Sequence, residues 1–479
     1  QFTGTGTKTL YVWKPTANTS TSVEITGTIN NVIDPTGASI EVIQLPDYPM
    51  TTVRNNYMSG EYVGAFWKAN QKGERIIRIP VGNGTIRSGN WDASVFWMGP
   101  GWNVGDIVFS NDISDDTGIT YNDATENPAN MLINDATYIV PGYVSSASGT
   151  AISGAGNYIH FRIGLTSTYT PTINNPVRYA LVLLRYGTPQ KYHIIYIRQG
   201  DGADYLMHPN DNARGSAAVR FCAYNTTASD LTNSDELVEI LSDRSNAVFT
   251  DYPTQAGALF QWSAIPPYGP LAYNPVTPIS VKIWNEVPTG SYWNTLQASS
   301  ESCPPGYRRP NDGSTSGPAA NNTSVIIRSS EIRQSLYATP MTNDKNNNTN
   351  IRWGFYADGY FDRRDHNNPF MASPGEGGSG MATNTAVSWK TINVGYIGSL
   401  LFNPLAGSSR ENASLFIPAA GDRHGETGAL VEAGEAALIL SSSALNTIDM
   451  WYFVGTPILG AQQLASTRRH ALSLRCVPL

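Results

Sequence analysis

Charge is scarce in this chain: only 14% of its 479 residues are Asp, Glu, Lys or Arg, and they sum to a formal −7. No block of Lys and Arg occurs. Neutralising a phosphate backbone needs clustered cations, so a nucleic-acid partner is excluded. Runs of 18 or more apolar residues are absent as well, which excludes a membrane-spanning helix. The opening residues, QFTGTGTKTLYVWKP, have neither a charged nor an apolar leader region, as expected of a processed product or an expressed fragment.

Reactive chemistry is equally sparse. The six histidines (His160, His193, His208, His366, His424 and His470) show no H-x-x-H or H-E-x-x-H spacing, so a zinc site is not expected. Ser441, Ser442 and Ser443 do not sit in a G-x-S-x-G turn, so a nucleophile elbow is absent. GDRHGETG places Asp422, His424 and Glu426 among glycines, a set able to do acid/base work. The simpler reading is a loop following a buried strand, LFIPAAG.

What the chain has is turn formers and aromatics: 44 Gly, 30 Pro, 25 Tyr and 10% aromatic residues overall. That texture describes many turns and short strands, hence a mainly β protein with an α+β C-terminal part. A single core stops growing at roughly 250–300 residues, so two or three domains are expected. Abundant Asn, Ser and Thr supply neutral surface polarity in place of charge, a habit of secreted β proteins.

The first half alternates with period two, as half-buried strands require. In SVEITGTIN, Val23, Ile25 and Ile29 share a face; in YIHFRIGL, Ile159, Phe161, Ile163 and Leu165 do. YALVLLRYG and KYHIIYIRQG, separated by TPQ, read as a hairpin. RIIRIPVGNG and SVFWMGPGWNVGDIVF are also strand-like. Residues 1–204 are therefore expected to form β-sandwich material, with an internal seam near Gly142.

From 205 to 479 alternation weakens and aromatic, Gly- and Pro-rich segments take over. SSEIRQSLYA is the best helix candidate, with Ser329 or Ser330 as its cap. ETGALVEAGEAALIL is a second, weakened by interior glycines. Two of the three cysteines, Cys303 and Cys476, bracket one segment. A disulfide between them would close a loop of about 170 residues, stabilising by up to about 5 kcal/mol on chain-entropy grounds. Two buried free thiols are the alternative; the secreted character favours the disulfide. Cys222, in VRFCAYN, reads as an inert core thiol.

FQW (260–262), CPPGYRRP (303–310), LFIPAAGDR (415–423), LSSSA (440–444) and LRCV (474–477) resemble the C-type-lectin-like domain repeated in Bacteroidetes surface proteins, the Fibrobacter-type major paralogous domain. YVGAFWKANQKGERIIRI, HFRIGL, RYALVLLRYG and HIIYIRQGDGADYLM resemble the N-terminal part of Bacteroidales fimbrial tip and accessory subunits. The chain departs from the first pattern at Leu438, Ile439 and Leu440, where that family usually carries a Tyr-Trp pair.

The resemblance implies a fimbrillin-like sandwich followed by a C-type-lectin-like domain, in a non-enzymatic subunit displayed on the bacterial surface. Cys303 and Cys476 match the family's structural positions rather than a redox pair. Partners would be other fimbrial subunits, joined by donor-strand exchange, and a surface protein or glycan. With Cys476 in a disulfide the chain would accept a strand without donating one, the logic of a tip subunit; a stand-alone glycan-binding lipoprotein is the competing reading. Tyr268, Tyr273, Trp284, Tyr292 and Trp293, crowded in a Pro-rich stretch, are the candidate ligand contacts, with core filling as the alternative for Trp284 and Trp293. Calcium is the candidate cofactor, through Asp358, Asp362 and Asp365 with Asn367, unless Arg363 and Arg364 neutralise them. NDKNNNTN offers Asp344, Asn346 and Asn348 but lacks the turn glycine of an EF-type loop.

Overall fold

The computed structural model describes residues 28–29, 32–33, 62–80, 90–110, 146–149, 158–186, 191–275, 300–313, 328–338, 353–355, 398–403 and 409–479, with a few short breaks in the longer spans. The protein is mainly β with very little helix, as expected from composition. Its chain divides into two compact units, Gln1–Pro49 and Met50–Leu479. In the first, β1 (Thr28–Ile29) and β2 (Val32–Ile33) form a short antiparallel pair. Val23 and Ile25 lie outside the described residues.

The second unit begins with two facing sheets. One contains β3 (Tyr62–Trp67), β5 (Trp91–Met98), β7 (Ser146–Gly149), β9 (Arg178–Tyr186) and β10 (Lys191–Gln199), ordered β3-β10-β9-β5-β7. The other contains β4 (Gly73–Pro80), β6 (Ile107–Ser110) and β8 (Tyr158–Leu165), ordered β4-β8-β6. β9 and β10 form the expected hairpin, Tyr186 opposite Lys191, whereas β3 adds to β10 in parallel. Strands from before and after residue 142 pair within both sheets, so these segments build one sandwich and the position is no seam between two.

Period two explains the core. Ile159, Phe161, Ile163 and Leu165 of β8 interlock with Ala180, Val182 and Leu184 of β9, Ile195 and Ile197 of β10, and Trp67 and Trp91. Each such large side chain contributes about 1.5–3 kcal/mol on full burial. β9 is buried on both faces, which is why it reads as an unbroken apolar run. Residues beyond 200 pack on that outer face: Tyr196 stacks on Phe402 at 4.9 Å, Phe66 meets Tyr224 edge-on at 5.9 Å, and Arg198 donates to the Ser414 carbonyl at 2.9 Å. Arg410 completes the junction, 3.1 Å from buried Asp204 and 2.6 Å from the Asn174 carbonyl.

Among the described residues the remaining strands form six small sheets, most of them from strands of two to five residues, the exception being a meander of three eight-residue strands. β11 (Thr226–Ala228) pairs with β13 (Ala247–Phe249), and β16 (Tyr307–Arg308) with β26 (Val477–Pro478). β12 (Leu237–Glu239), β14 (Leu259–Phe260), β15 (Leu271–Tyr273) and β25 (Leu472–Ser473) share one sheet. β17 (Trp353–Phe355), β18 (Gly398–Phe402) and β19 (Ser414–Pro418) form another. β20 (Asp422–Arg423) pairs with β21 (Leu430–Val431), and β22 (Ala437–Ala444), β23 (Asp449–Thr456) and β24 (Gly460–Thr467) form a meander.

The helix expected in SSEIRQSLYA exists as α1 (Glu331–Leu336), and the Ser330 hydroxyl accepts from the Arg333 amide as its N-cap. Its buried anchor is Asp312, which takes two bonds from the Arg333 guanidinium, at 2.6 and 2.8 Å, and one from Ser330. The second candidate, ETGALVEAGEAALIL, is not helical. It becomes β21 and β22, because Ala437–Ala444 is buried on both faces of the meander and tertiary burial overrides propensity. Leu438, Ile439 and Leu440 are core residues there, and the following serines brace loops: Ser443 Oγ accepts from the Asp312 amide.

Cys303 and Cys476 are joined by a disulfide spanning 173 positions, inside a core with Trp262, Phe260, Leu438 and Leu474. Around it the end of the chain is woven into the start of this region: the Cys222 amide donates to the Cys476 carbonyl and the Thr226 amide to the Leu474 carbonyl. Short strands leave many carbonyls without ladder partners, and buried arginines satisfy them with their five donors. Arg309 donates to Trp262 O at 2.9 Å, Arg475 to Cys222 O and Phe416 O, and Arg423 to Asn274 O and Gly428 O. Arg468 lies 4.0 Å over the Trp262 ring.

Candidate binding pocket at Asp422 and His470

The ladder that runs through buried Arg423 builds the site. Arg423 and Ala471 form a reciprocal antiparallel bridge, each amide donating to the other's carbonyl. That pairing brings Asp422 and His424, on either side of Arg423, up to His470. Asp422 Oδ2 lies 2.5 Å from His470 Nδ1, and the His424 and His470 rings meet edge-on with centroids 5.2 Å apart.

Two glycines make the approach feasible. Gly421 has φ of +67°, and a Cβ there would lie 2.2 Å from the Val431 carbonyl. Gly425 lies against His470, whose Cδ2 would be 2.9 Å from an added Cβ. Arg423, tied to the Gly428 carbonyl, holds the loop from below.

A cavity of about 130 Å³ opens here, lined by Asp422, His424, Glu432, Tyr452, Ser466 and His470 together with apolar Val431, Leu438 and Leu472. The hydrogen bonds assign the imidazoles. Asp422 receives the Nδ1 proton of His470, leaving its Nε2 as an acceptor in the neutral ring. His424 Nδ1 accepts from the Glu426 amide at 3.3 Å, so its proton sits on Nε2. Burial first, then the Glu432 and Asp422 carboxylates, push the Tyr452 phenol up to about 12, so it remains protonated at neutral pH.

Of the two expected binding residues that the structure describes, Tyr268 stands at the surface, 43% exposed. Tyr273 does not: it is fully buried in β15, its hydroxyl donating to Gln261 Oε1 at 2.7 Å, because the Pro-rich stretch begins with a core strand. Trp284, Tyr292, Trp293, Asp358, Asp362, Asp365 and Asn367 lie outside the described residues, as do Asp344, Asn346 and Asn348. Among the described residues no group of three or more His, Cys, Asp and Glu side chains could hold a metal ion. Glu432, Tyr452, Ser466 and His470 are the polar site residues that sequence reading missed. The GDRH motif supplies half the site, and its partner His470 arrives through a strand bridge across almost fifty positions, for which local spacing carries no signal.

No protein-family model matches the chain, and no curated protein matches its sequence.

Proposed function

We propose that this chain is a non-enzymatic fimbrial subunit, at the tip or as an accessory component, displayed on the bacterial surface as an adhesin. In this reading residues 1–204 are the fimbrillin-like part and 205–479 the C-type-lectin-like part. The observation that carries it is the unequal sandwich: three strands face five, and among the described residues β4 has β8 as its one sheet neighbour. A strand with one neighbour is the geometry that strand addition uses, with main-chain hydrogen bonds supplying affinity.

Two further features favour the reading. Residues 471–478 are committed to the lectin-like part through β25, Cys476 and β26. The disulfide belongs to an oxidising, exported setting. Immunogold electron microscopy of sheared fimbriae with antibody to this chain tests the proposal. Gold on fimbriae, concentrated at their ends for a tip subunit, is the expected result; label confined to the cell body would overturn it.

A further inference from the structure

We propose that the surface around Arg220, Tyr205 and His208 is a binding site for a carboxylate group, carried either by a free small acid or by an acidic sugar. The inference concerns the site itself and holds whether or not the chain is a fimbrial subunit.

The backbone places the three side chains. Asp204 and Phe221 form an antiparallel bridge, each amide donating to the other's carbonyl at 3.1 and 2.9 Å, which sets Tyr205 beside Arg220. The turn at 208–211 is locked, since the Asp211 amide donates to the His208 carbonyl and Asp211 Oδ2 accepts from the His208 amide, both at 2.8 Å. The three groups meet about one ring. The Arg220 guanidinium lies 5.2 Å from the Tyr205 centroid, and the His208 ring meets Tyr205 edge-on at 4.7 Å. All three residues are partly buried.

Charge selects the ligand. Asp211, Arg410, Asp204 and Arg220 are the charged side chains around His208. Arg410, 3.1 Å from Asp204, neutralises it. Asp211 is balanced by Arg214 and spends its oxygens on the His208 amide and on the Ser409 amide and hydroxyl. Arg220 is the cation left over: among the described residues its guanidinium has no carboxylate or hydrogen-bond acceptor, and the Tyr205 ring holds it in place.

Its Nε is buried without a partner, so the fork left for a ligand is the terminal pair, Nη1 and Nη2. Two parallel N–H bonds to a planar carboxylate fit that fork. His208 Nδ1 accepts from the Asn210 amide at 3.3 Å, so the imidazole proton sits on Nε2 as a further donor. A guanidinium stacked on an aromatic face is partly stripped of water and held in one orientation, which lowers the ordering cost of binding. One surplus positive charge matches a monoanion; a phosphate dianion would stay half compensated, and a neutral sugar would leave the fork unpaired.

The test is isothermal titration calorimetry of the full chain, at fixed ionic strength, with sodium acetate, sodium glucuronate, methyl glucoside as the neutral sugar and sodium phosphate as the dianion. The proposal expects saturable binding of both carboxylates, none of methyl glucoside, and about tenfold or greater weakening in Arg220→Gln. Arg220→Lys, which keeps the charge and loses the fork, should fall between. Circular dichroism verifies the fold of both variants. Equal affinity for acetate and glucuronate assigns a free small acid; tighter binding of glucuronate assigns an acidic sugar. His208 supplies a second readout in the parent protein. Burial holds its imidazole below the ordinary value, with Asp211 and Asp204 opposing and Arg410 and Arg220 reinforcing that shift. A carboxylate seated on Arg220 cancels part of it, so the His208 titration followed by NMR should move to higher pH on saturation with glucuronate. Failure of both carboxylates to bind, binding of methyl glucoside, phosphate bound more tightly than either carboxylate, affinity unchanged in a folded R220Q, or a His208 titration unmoved by glucuronate would each overturn it.

Discussion

The sulfurs of Cys303 and Cys476 join two points 173 positions apart, and the Cys476 carbonyl accepts from the Cys222 amide beside them. The bond ties the end of the chain to the strands with which this region begins. Its energetic role is to restrict the unfolded chain, by about 5 kcal/mol at most on the loop-entropy account. Replacing both cysteines by alanine, or reducing the native protein, should therefore lower the urea midpoint strongly. An unchanged midpoint would show that the surrounding core holds the region closed alone.

Cys222 should stay silent toward thiol reagents until the protein unfolds. Burial pushes its thiol up from 9.0 to about 12, despite Arg475 and Arg198 nearby. Because the folded value lies above the unfolded one, its contribution to stability is whole below about pH 9 and is lost as pH rises toward about 12. The slope is up to about 1.4 kcal/mol per pH unit in that window. Cys222→Ala should flatten it in denaturation curves taken across the same range; a parallel decline in variant and parent would contradict the assignment.

Asp312 and Arg333 form a buried two-point ion pair, 0% and 3% exposed. Asp312→Ala strands the guanidinium and removes the Ser330 acceptor, at a cost of about 3–5 kcal/mol. Replacing both partners with apolar side chains should restore much of that loss. Thermal unfolding of the single and double variants measures the difference; additive losses would exclude a pairwise origin.

At the junction, Arg410→Ala removes the ion-pair partner of buried Asp204, leaving Arg198 as the cation near it, and frees the Asn174 turn. Amide exchange should accelerate in residues 172–175 and 409–413 while the sandwich core around Val182 keeps its protection. Uniform acceleration across the chain would show instead that the contact governs global stability.

Gly421→Ala should damage the pocket before the fold. Its left-handed backbone and the 2.2 Å approach to the Val431 carbonyl leave no space for a methyl group. The expected result is a downfield His470 Nδ1 proton in the parent protein, lost in the variant as the bond to Asp422 lengthens, with a thermal shift smaller than that of Asp312→Ala. Retention of that proton signal would contradict the packing.

The legible parts of this fold are those where chemistry repeats locally. YIHFRIGL announced β8 because one face had to be apolar, and Ser330 announced the start of α1 because a helix needs an acceptor there. The parallel addition of β3 to β10 has no local signal, since the paired residues, Tyr62 with Ile194 through Trp67 with Gln199, are far apart in sequence. Arg309, Arg423, Arg468 and Arg475 are 0–1% exposed without any local sequence signal of burial, because carbonyls that draw them inward, such as those of Trp262, Asn274 and Cys222, lie far off in the sequence. The pocket follows the same rule: Asp422 and His424 were visible as a motif, while His470 became their neighbour through the Arg423 bridge to Ala471.

The most direct test of the surface-subunit account is mass spectrometry of the native protein from cell-surface fractions, digested without reduction, with co-purifying proteins identified. The account predicts a peptide linked through Cys303 and Cys476, Cys222 as a free thiol, and fimbrial subunits in the same preparation. An isolated chain carrying free thiols at Cys303 and Cys476 would contradict it.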